Sequence, residues 1–155
     1  MSESKKATIL PELHYVDPAA ALNWLSEVFG FETRMIVKDH AGKIVFSETE
    51  IDGGAVAVVP EQLDTMRSPK AANGNSTQTI QIRFSRNIDE HYEHAKANGA
   101  IILSEPETYF FGDRTYLASD LEGHTWSFGQ RLPNAESPPP DGWRIEFPSH
   151  QRPTT

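Results

Sequence analysis

The chain has 155 residues, 37% hydrophobic and 10% aromatic, which suits one ordinary domain with a proper core and is too short for two comfortable ones. Its lack of cysteine excludes a disulfide framework, a thiolate nucleophile and cysteine-bound zinc, and its formal net charge of −8 argues against general nucleic-acid binding, which needs Lys and Arg at phosphates. No apolar run approaches the ~20 residues of a membrane helix, and the polar start Met1-Ser-Glu-Ser-Lys-Lys has no signal-peptide core, so the expected location is cytoplasmic.

Ala7 to Tyr15 reads as a strand. Asp17-Pro18 then opens a helix, with Asp suited to the N-cap and Pro to the first turn, where a missing N–H costs nothing. Leu22, Leu25, Val28 and Phe29 recur at helical spacing, and Gly30 ends the run. Phe31 to Lys38 and Lys43 to Ile51 form strands around the turn Asp39-His40-Ala41-Gly42. Asp52-Gly53-Gly54 is a hairpin signal into Ala55 to Val59, which completes a βαβββ unit.

Pro60 to Ser76 is polar and reads as a connecting loop, with a short helical turn near Glu61 to Met66. The pattern then returns: strand Thr77 to Phe84, helix Ile88 to Asn98 with Ile88, Tyr92 and Ala95 on one stripe, and Gly99 as its end. Ile101 to Leu103, Arg114 to Ser119 and His124 to Gln130 are the following strands, with turns at Gly112-Asp113 and Asp120-Leu121-Glu122-Gly123. An offset of about 70 residues sets Asp17 against Asn87, Leu22 against Tyr92 and Leu25 against Ala95, a repeat of pattern rather than of letters.

The expected organisation is a leader 1–6, a domain 7–131 with modules 7–60 and 77–131, and a Pro-rich tail 132–155. Prolines at 133, 138, 139, 140, 148 and 153 forbid regular helix and central strand there. Trp143, Ile145 and Phe147 alternate, so the tail either docks as an extended segment or stays loose.

The run Val16-Asp17-Pro18-Ala19-Ala20-Ala21-Leu22-Asn23-Trp24, closing on Phe29-Gly30-Phe31-Glu32, resembles the first-helix signature of the vicinal oxygen chelate superfamily of glyoxalases, bleomycin resistance proteins and extradiol dioxygenases. Gly112-Asp113-Arg114-Thr115-Tyr116 and Asp120-Leu121-Glu122-Gly123-His124-Thr125-Trp126-Ser127-Phe128 look like its closing hairpin. The resemblance spans Ala7 to Gln130. It implies an α+β, glyoxalase-like fold: two βαβββ modules forming a U-shaped mixed sheet around a pocket, usually in a homodimer. Metal-using members take ligands from the first and last strands of each half, which fall here on Leu10, Ala55 or Ala57, Ile80 and Ser127. None suits a divalent cation, and a register slip to Gln78, Thr79, Gln81 or Ile82 is no better. The expectation is therefore no metal and no cofactor, which puts the metal-assisted isomerase and dioxygenase chemistries in doubt.

Strand alternation sets Glu12 and His14 on the face opposite Leu13 and Tyr15, as an acid and an imidazole facing the pocket or as an ordinary polar strand face. Phe46 shares a face with Glu48 and Glu50 and is either the floor for a flat ligand or a core residue. Arg114, with Tyr109, Phe110, Phe111 and Tyr116 near it, either grips a ligand or braces its own hairpin through Asp113 or Asp120. Ser127 falls on the pocket side, while Trp126 and Phe128 belong to the core and His124 to the turn. His91 and His94 are expected on the solvated side of the second helix. The function expected is binding of a small organic molecule, aromatic or cationic, without a metal. Glu12 and His14 are also the catalytic candidates of the alternative, a metal-dependent lyase, isomerase or dioxygenase with relocated ligands. A third reading makes the tail around Trp143 a docking element for a partner.

Overall fold

A computed structural model describes residues 6–148; positions 1–5 of the leader and 149–155 of the tail lie outside the described residues. The chain divides into two compact units, one of residues up to Thr77 with Leu121–His124, the other of Gln78–Asp120 with the residues from Thr125 onward.

The first unit contains β1 (Glu12–Tyr15), α1 (Pro18–Trp24), β2 (Glu32–Lys38), β3 (Ile44–Ile51) and β4 (Gly54–Pro60), with sheet order β1-β4-β3-β2. β1 lies parallel to β4 and the other pairs are antiparallel. Asp17 caps α1 through its side chain, accepting from the Ala20 amide at 3.1 Å. The last turn of this helix widens to π geometry over Leu25–Phe29, and Gly30 closes it at φ 85°, a left-handed conformation that glycine adopts without a Cβ clash. β1 is shorter than expected, since Pro11 has no N–H to give a ladder, although its carbonyl accepts from Ala57 at 2.8 Å.

The helix side of this sheet is the core. Leu13 and Tyr15 of β1, Val56 and Val58 of β4 and Ile51 of β3 are all buried, as are Leu22, Leu25 and Phe29 of the helical segment. Among them, Ser47 keeps its hydroxyl satisfied by donating to the Val58 carbonyl at 2.5 Å. In the loop after β4 the expected helical turn at Glu61–Met66 is replaced by a 3-10 turn at Pro69–Ala71, which the side chain of Ser68 caps. Glu122, from the distant turn, accepts from the amides of Val16 (2.7 Å) and Asp17 (3.0 Å) and from the Ser68 hydroxyl (2.6 Å).

The second unit repeats the plan with β5 (Thr79–Phe84), α2 (Ile88–Ala97), β6 (Ile101–Thr108), β7 (Asp113–Ser119) and β8 (Thr125–Arg131), in sheet order β5-β8-β7-β6. Asn87 takes the capping position that Asp17 has in the first unit, accepting from the Glu90 amide at 3.1 Å. β6 runs well past Leu103 and through Pro106. It is an edge strand with register shifts on both sides of Ser104, and such a strand tolerates a proline whose missing donor faces no partner.

The core of this unit is aromatic: Trp126 and Phe128 of β8, Tyr116 of β7 and Phe84 of β5 pack with Ile88, Tyr92 and Ala95 of α2. The Trp126 indole N–H donates to Asp120 at 3.0 Å. His91 corrects the expectation of a solvated position: it is 8% exposed and shares a 2.6 Å hydrogen bond between its Nδ1 and the Tyr116 hydroxyl. Three residues after Ile88 and four before Ala95, it lies on the buried stripe itself. Burial raises the Tyr116 phenol well above its ordinary pKa. His94 is exposed, as expected.

Past β8 the tail lies along the β6–β7 turn. Leu132 donates to the Gly112 carbonyl at 2.6 Å and Ser137 to that of Phe110 at 2.8 Å, and the Trp143 ring meets Phe110 edge-on at 6.2 Å. Trp143 nevertheless keeps 65% of its surface exposed. No helix among the described residues is long and apolar enough to cross a membrane.

Candidate functional site

The first sheet leaves its other face free of helix, and the register fixes which side chains it presents. Glu12 pairs with Ala57, which pairs with Glu48, and His14 pairs with Val59, so these side chains share the face opposite Leu13 and Tyr15. Alternation adds Phe46 and Glu50, both half-buried. Sequence reasoning passed over Arg34, which stands at a register shift in β2 and reaches Glu48 at 2.7 Å and Glu50 at 3.1 Å. Those hydrogen bonds raise its pKa further and fix two of the carboxylates, while Glu12 is exposed.

His14 is the notable group on this face. It is half-buried, and its Nε2 atom is buried with no hydrogen-bond partner. Its carbonyl is occupied: His124 donates its Nε2–H there at 2.7 Å, with the His124 ring 4.6 Å from that of Tyr15. His124 is thus a structural residue of the turn. Beside this region Glu61 is held below the usual carboxylate pKa, first by its hydrogen bond from Arg67, with the Ser68 amide and the charge of His14 adding to the effect.

The second sheet presents Gln81, Thr115, Leu117, Thr125 and Ser127 on its helix-free face, with Ser127 half-buried opposite the buried Trp126 and Phe128. Ile80 pairs with Trp126 and lies on the helix side, so Gln81 is the β5 residue that stands beside Ser127. This corrects the register that placed Ile80 at a ligand position. Two other candidates lie away from the open face. Arg114 is bound to Asp89 at the start of α2 through two contacts of 3.0 and 2.7 Å and to Thr108 at 3.1 Å. Its brace is the helix, in place of Asp113 or Asp120. Tyr116 is fully buried beneath α2. Tyr109 and Phe111 stack on each other at 5.5 Å in the β6–β7 turn.

The donor chemistry at the positions where a metal would be held is poor. Ala57, Gln81 and Ser127 offer a divalent cation no carboxylate or imidazole, and Leu10 precedes β1. Glu12 and Glu48 stand one strand apart on either side of β4, and the Glu48 carboxylate is already held by Arg34. Among the described residues no group of three His, Asp or Glu side chains is arranged to hold a metal. The residues present do not fit a resident cation.

Paired βαβββ units with open sheet faces define a glyoxalase-like fold, and the comparisons agree. Residues 12–128 match the model of the Glyoxalase/Bleomycin resistance protein/Dioxygenase superfamily, and the chain belongs to that superfamily. It is 31% identical to TioX from Micromonospora sp. ML1, with a TM-score of 0.65 over 80% of this chain and 95% of that one. TnmS3, an antibiotic binding protein from Streptomyces sp. CB03234, has the same fold at 16% identity, with a TM-score of 0.65 over 84% of this chain and 99% of its own. An uncharacterized protein of Mycobacterium tuberculosis (strain ATCC 25618 / H37Rv) is 25% identical over 133 residues, covering 84% of this chain and 78% of its own.

Proposed function

We propose that this chain is a small-molecule-binding member of the superfamily, taking an organic compound, aromatic or cationic, against the helix-free face of its first sheet without a metal. The observation that carries this reading is the buried, unpartnered Nε2 of His14. A buried polar atom without a partner costs about 1–3 kcal/mol, and a ligand that exchanges a hydrogen bond with it recovers that cost. Phe46 offers a flat apolar surface, while Glu12, on the same face as His14, offers an exposed carboxylate to a cation. On the second sheet, Ser127 and Gln81 are polar side chains of that sheet's own helix-free face. That TnmS3 is an antibiotic binding protein lends the reading further support.

The test is a thermal-shift screen of aromatic and cationic compounds followed by calorimetry on the hits. His14→Ala should weaken binding about tenfold, the worth of one well-made hydrogen bond, with little change in the unfolding midpoint. Unchanged affinity removes His14 from the site. Elemental analysis of protein purified without chelator tests the metal-free part, since stoichiometric metal would favour a lyase, isomerase or dioxygenase using Glu12 and His14. We carry a homodimer and a cytoplasmic location as parts of the same proposal. The dimer draws support from edge strand β2, exposed along its whole length with Met35, Ile36 and Val37 among its residues, and sedimentation tests it.

A further inference from the structure

The first unit has a cavity of about 440 Å³ that none of the residues of the proposed ligand face lines. Its walls come from the β1–α1 junction, the β2–β3 turn and the end of β4, and its volume is that of a small-ligand pocket. Val16, Pro18, Ile44 and Pro60 make much of it apolar, and Lys38 and Lys43 are the basic residues of its lining.

The charges around this cavity are unequal in their commitments. Asp17 and Glu61 line it too, but each has a protein partner: Asp17 caps the Ala20 amide, and Glu61 accepts from the Arg67 guanidinium at 2.8 Å and the Ser68 amide at 3.0 Å. The amides of Val16 and Asp17 are taken by Glu122. Among the described residues Lys38 and Lys43 have no side-chain hydrogen bond or ion pair. Lys43 is nonetheless well placed, because the turn that precedes it is pinned. Asp39 accepts from the Ala41 amide at 2.9 Å and the Lys43 amide at 3.0 Å, and its own amide donates to the Lys43 carbonyl at 2.9 Å. The neighbouring Gly42 sits at φ +81°, where a side chain would be strained.

We propose that this cavity is a second ligand site, for a small organic anion whose carboxylate or phosphate meets Lys38 and Lys43 while a compact apolar body lies on Val16, Pro18 and Ile44. Two ammonium groups without partners beside an apolar wall, in a chain of net charge −8, form a place where an anion gains charge-assisted hydrogen bonds and loses little solvation. The site is independent of the reading given for His14.

The experiment is an amide-resolved NMR titration of the full chain with benzoate and, separately, with inorganic phosphate. Saturable shifts at Val16, Gly42, Lys43 and Ile44 with benzoate, weaker at higher ionic strength, are the expected result. Saturation by phosphate alone, or by neither probe, overturns the proposal. The double variant Lys38→Gln/Lys43→Gln should raise the benzoate Kd by about tenfold or more with no change in unfolding midpoint, since both lysines are exposed; unchanged affinity rejects their role. His14→Ala should leave benzoate binding as it is, so failure of this site and failure of the first are read separately.

Discussion

The two units place their charges in inverse fashion on the same backbone plan. On the open face of the first sheet, one guanidinium, Arg34, lies between two carboxylates, Glu48 and Glu50. On that of the second, one carboxylate, Asp113, lies between two guanidinium groups, with Arg83 at 2.8 Å and Arg131 at 3.2 Å. Burial differs as well: the Asp113 side chain is 2% exposed, whereas Arg34 is 39% exposed. The helix sides diverge in parallel, mainly aliphatic with Tyr15, Phe29 and Phe31 in the first unit, and dominated by Trp126, Phe128, Tyr116 and Phe84 with an embedded histidine in the second. A βαβββ repeat thus fixes which positions face outward and leaves their chemistry free, so an acidic face in one unit and a buried carboxylate held by two arginines in the other arise from one pattern.

The largest test of this contrast is Trp126→Ala. The aromatic core of the second unit should lose about 3–5 kcal/mol, the usual cost of a large cavity, read by urea unfolding; a loss under about 1 kcal/mol would mean that the cluster is not what holds that unit. Next is Asp113→Ala, which takes the carboxylate partner from Arg83 and leaves Arg131 with the Phe111 carbonyl and Glu136, and should cost about 1–3 kcal/mol. Arg34→Ala, its inverse in the first unit, should cost clearly less than Asp113→Ala, because exposed pairs are screened by solvent. Equal losses for the two would erase the distinction between a buried knot and an exposed one.

The smallest effect is the pH dependence of Asp89. The Arg114 hydrogen bond holds its folded-state pKa below the ordinary aspartate value. Its contribution is therefore present above about pH 4 and is lost as the pH falls through the folded pKa. The pair is exposed, so no more than about 0.5 kcal/mol is at stake. Asp89→Asn should abolish that slope in acid unfolding curves while leaving neutral stability almost unchanged.

Much of the fold was legible in the sequence because its signals are local. Asp17 and Asn87 announce helix starts, Gly30 a helix end, and alternation in β1 and β8 separates Glu12, His14 and Ser127 from Tyr15, Trp126 and Phe128. What escaped depends on tertiary context. A register shift brings Arg34 to Glu48 and Glu50, edge position lets β6 continue through Pro106, and Asp89 of α2 rather than Asp113 or Asp120 takes Arg114. His91 differs from these, because helical spacing itself sets it beside Ile88 and Ala95 on the buried stripe. The unpartnered nitrogen of His14 has no sequence signature at all, since it records what the rest of the fold fails to supply.

Glu122 carries a consequence for the order in which the protein can be made. Its carboxylate takes the amides of Val16 and Asp17, and Glu122 follows Val16 by 106 positions in the chain. On a ribosome adding roughly 5–20 residues per second, these bonds become possible on the order of 5–20 s after Val16 has been joined. By then the strands β5, β6 and β7 already exist. The first unit therefore matures last in one of its parts, and a nascent chain stopped at Thr77 would hold the β1–α1 junction and Ser68 without the carboxylate that gathers them.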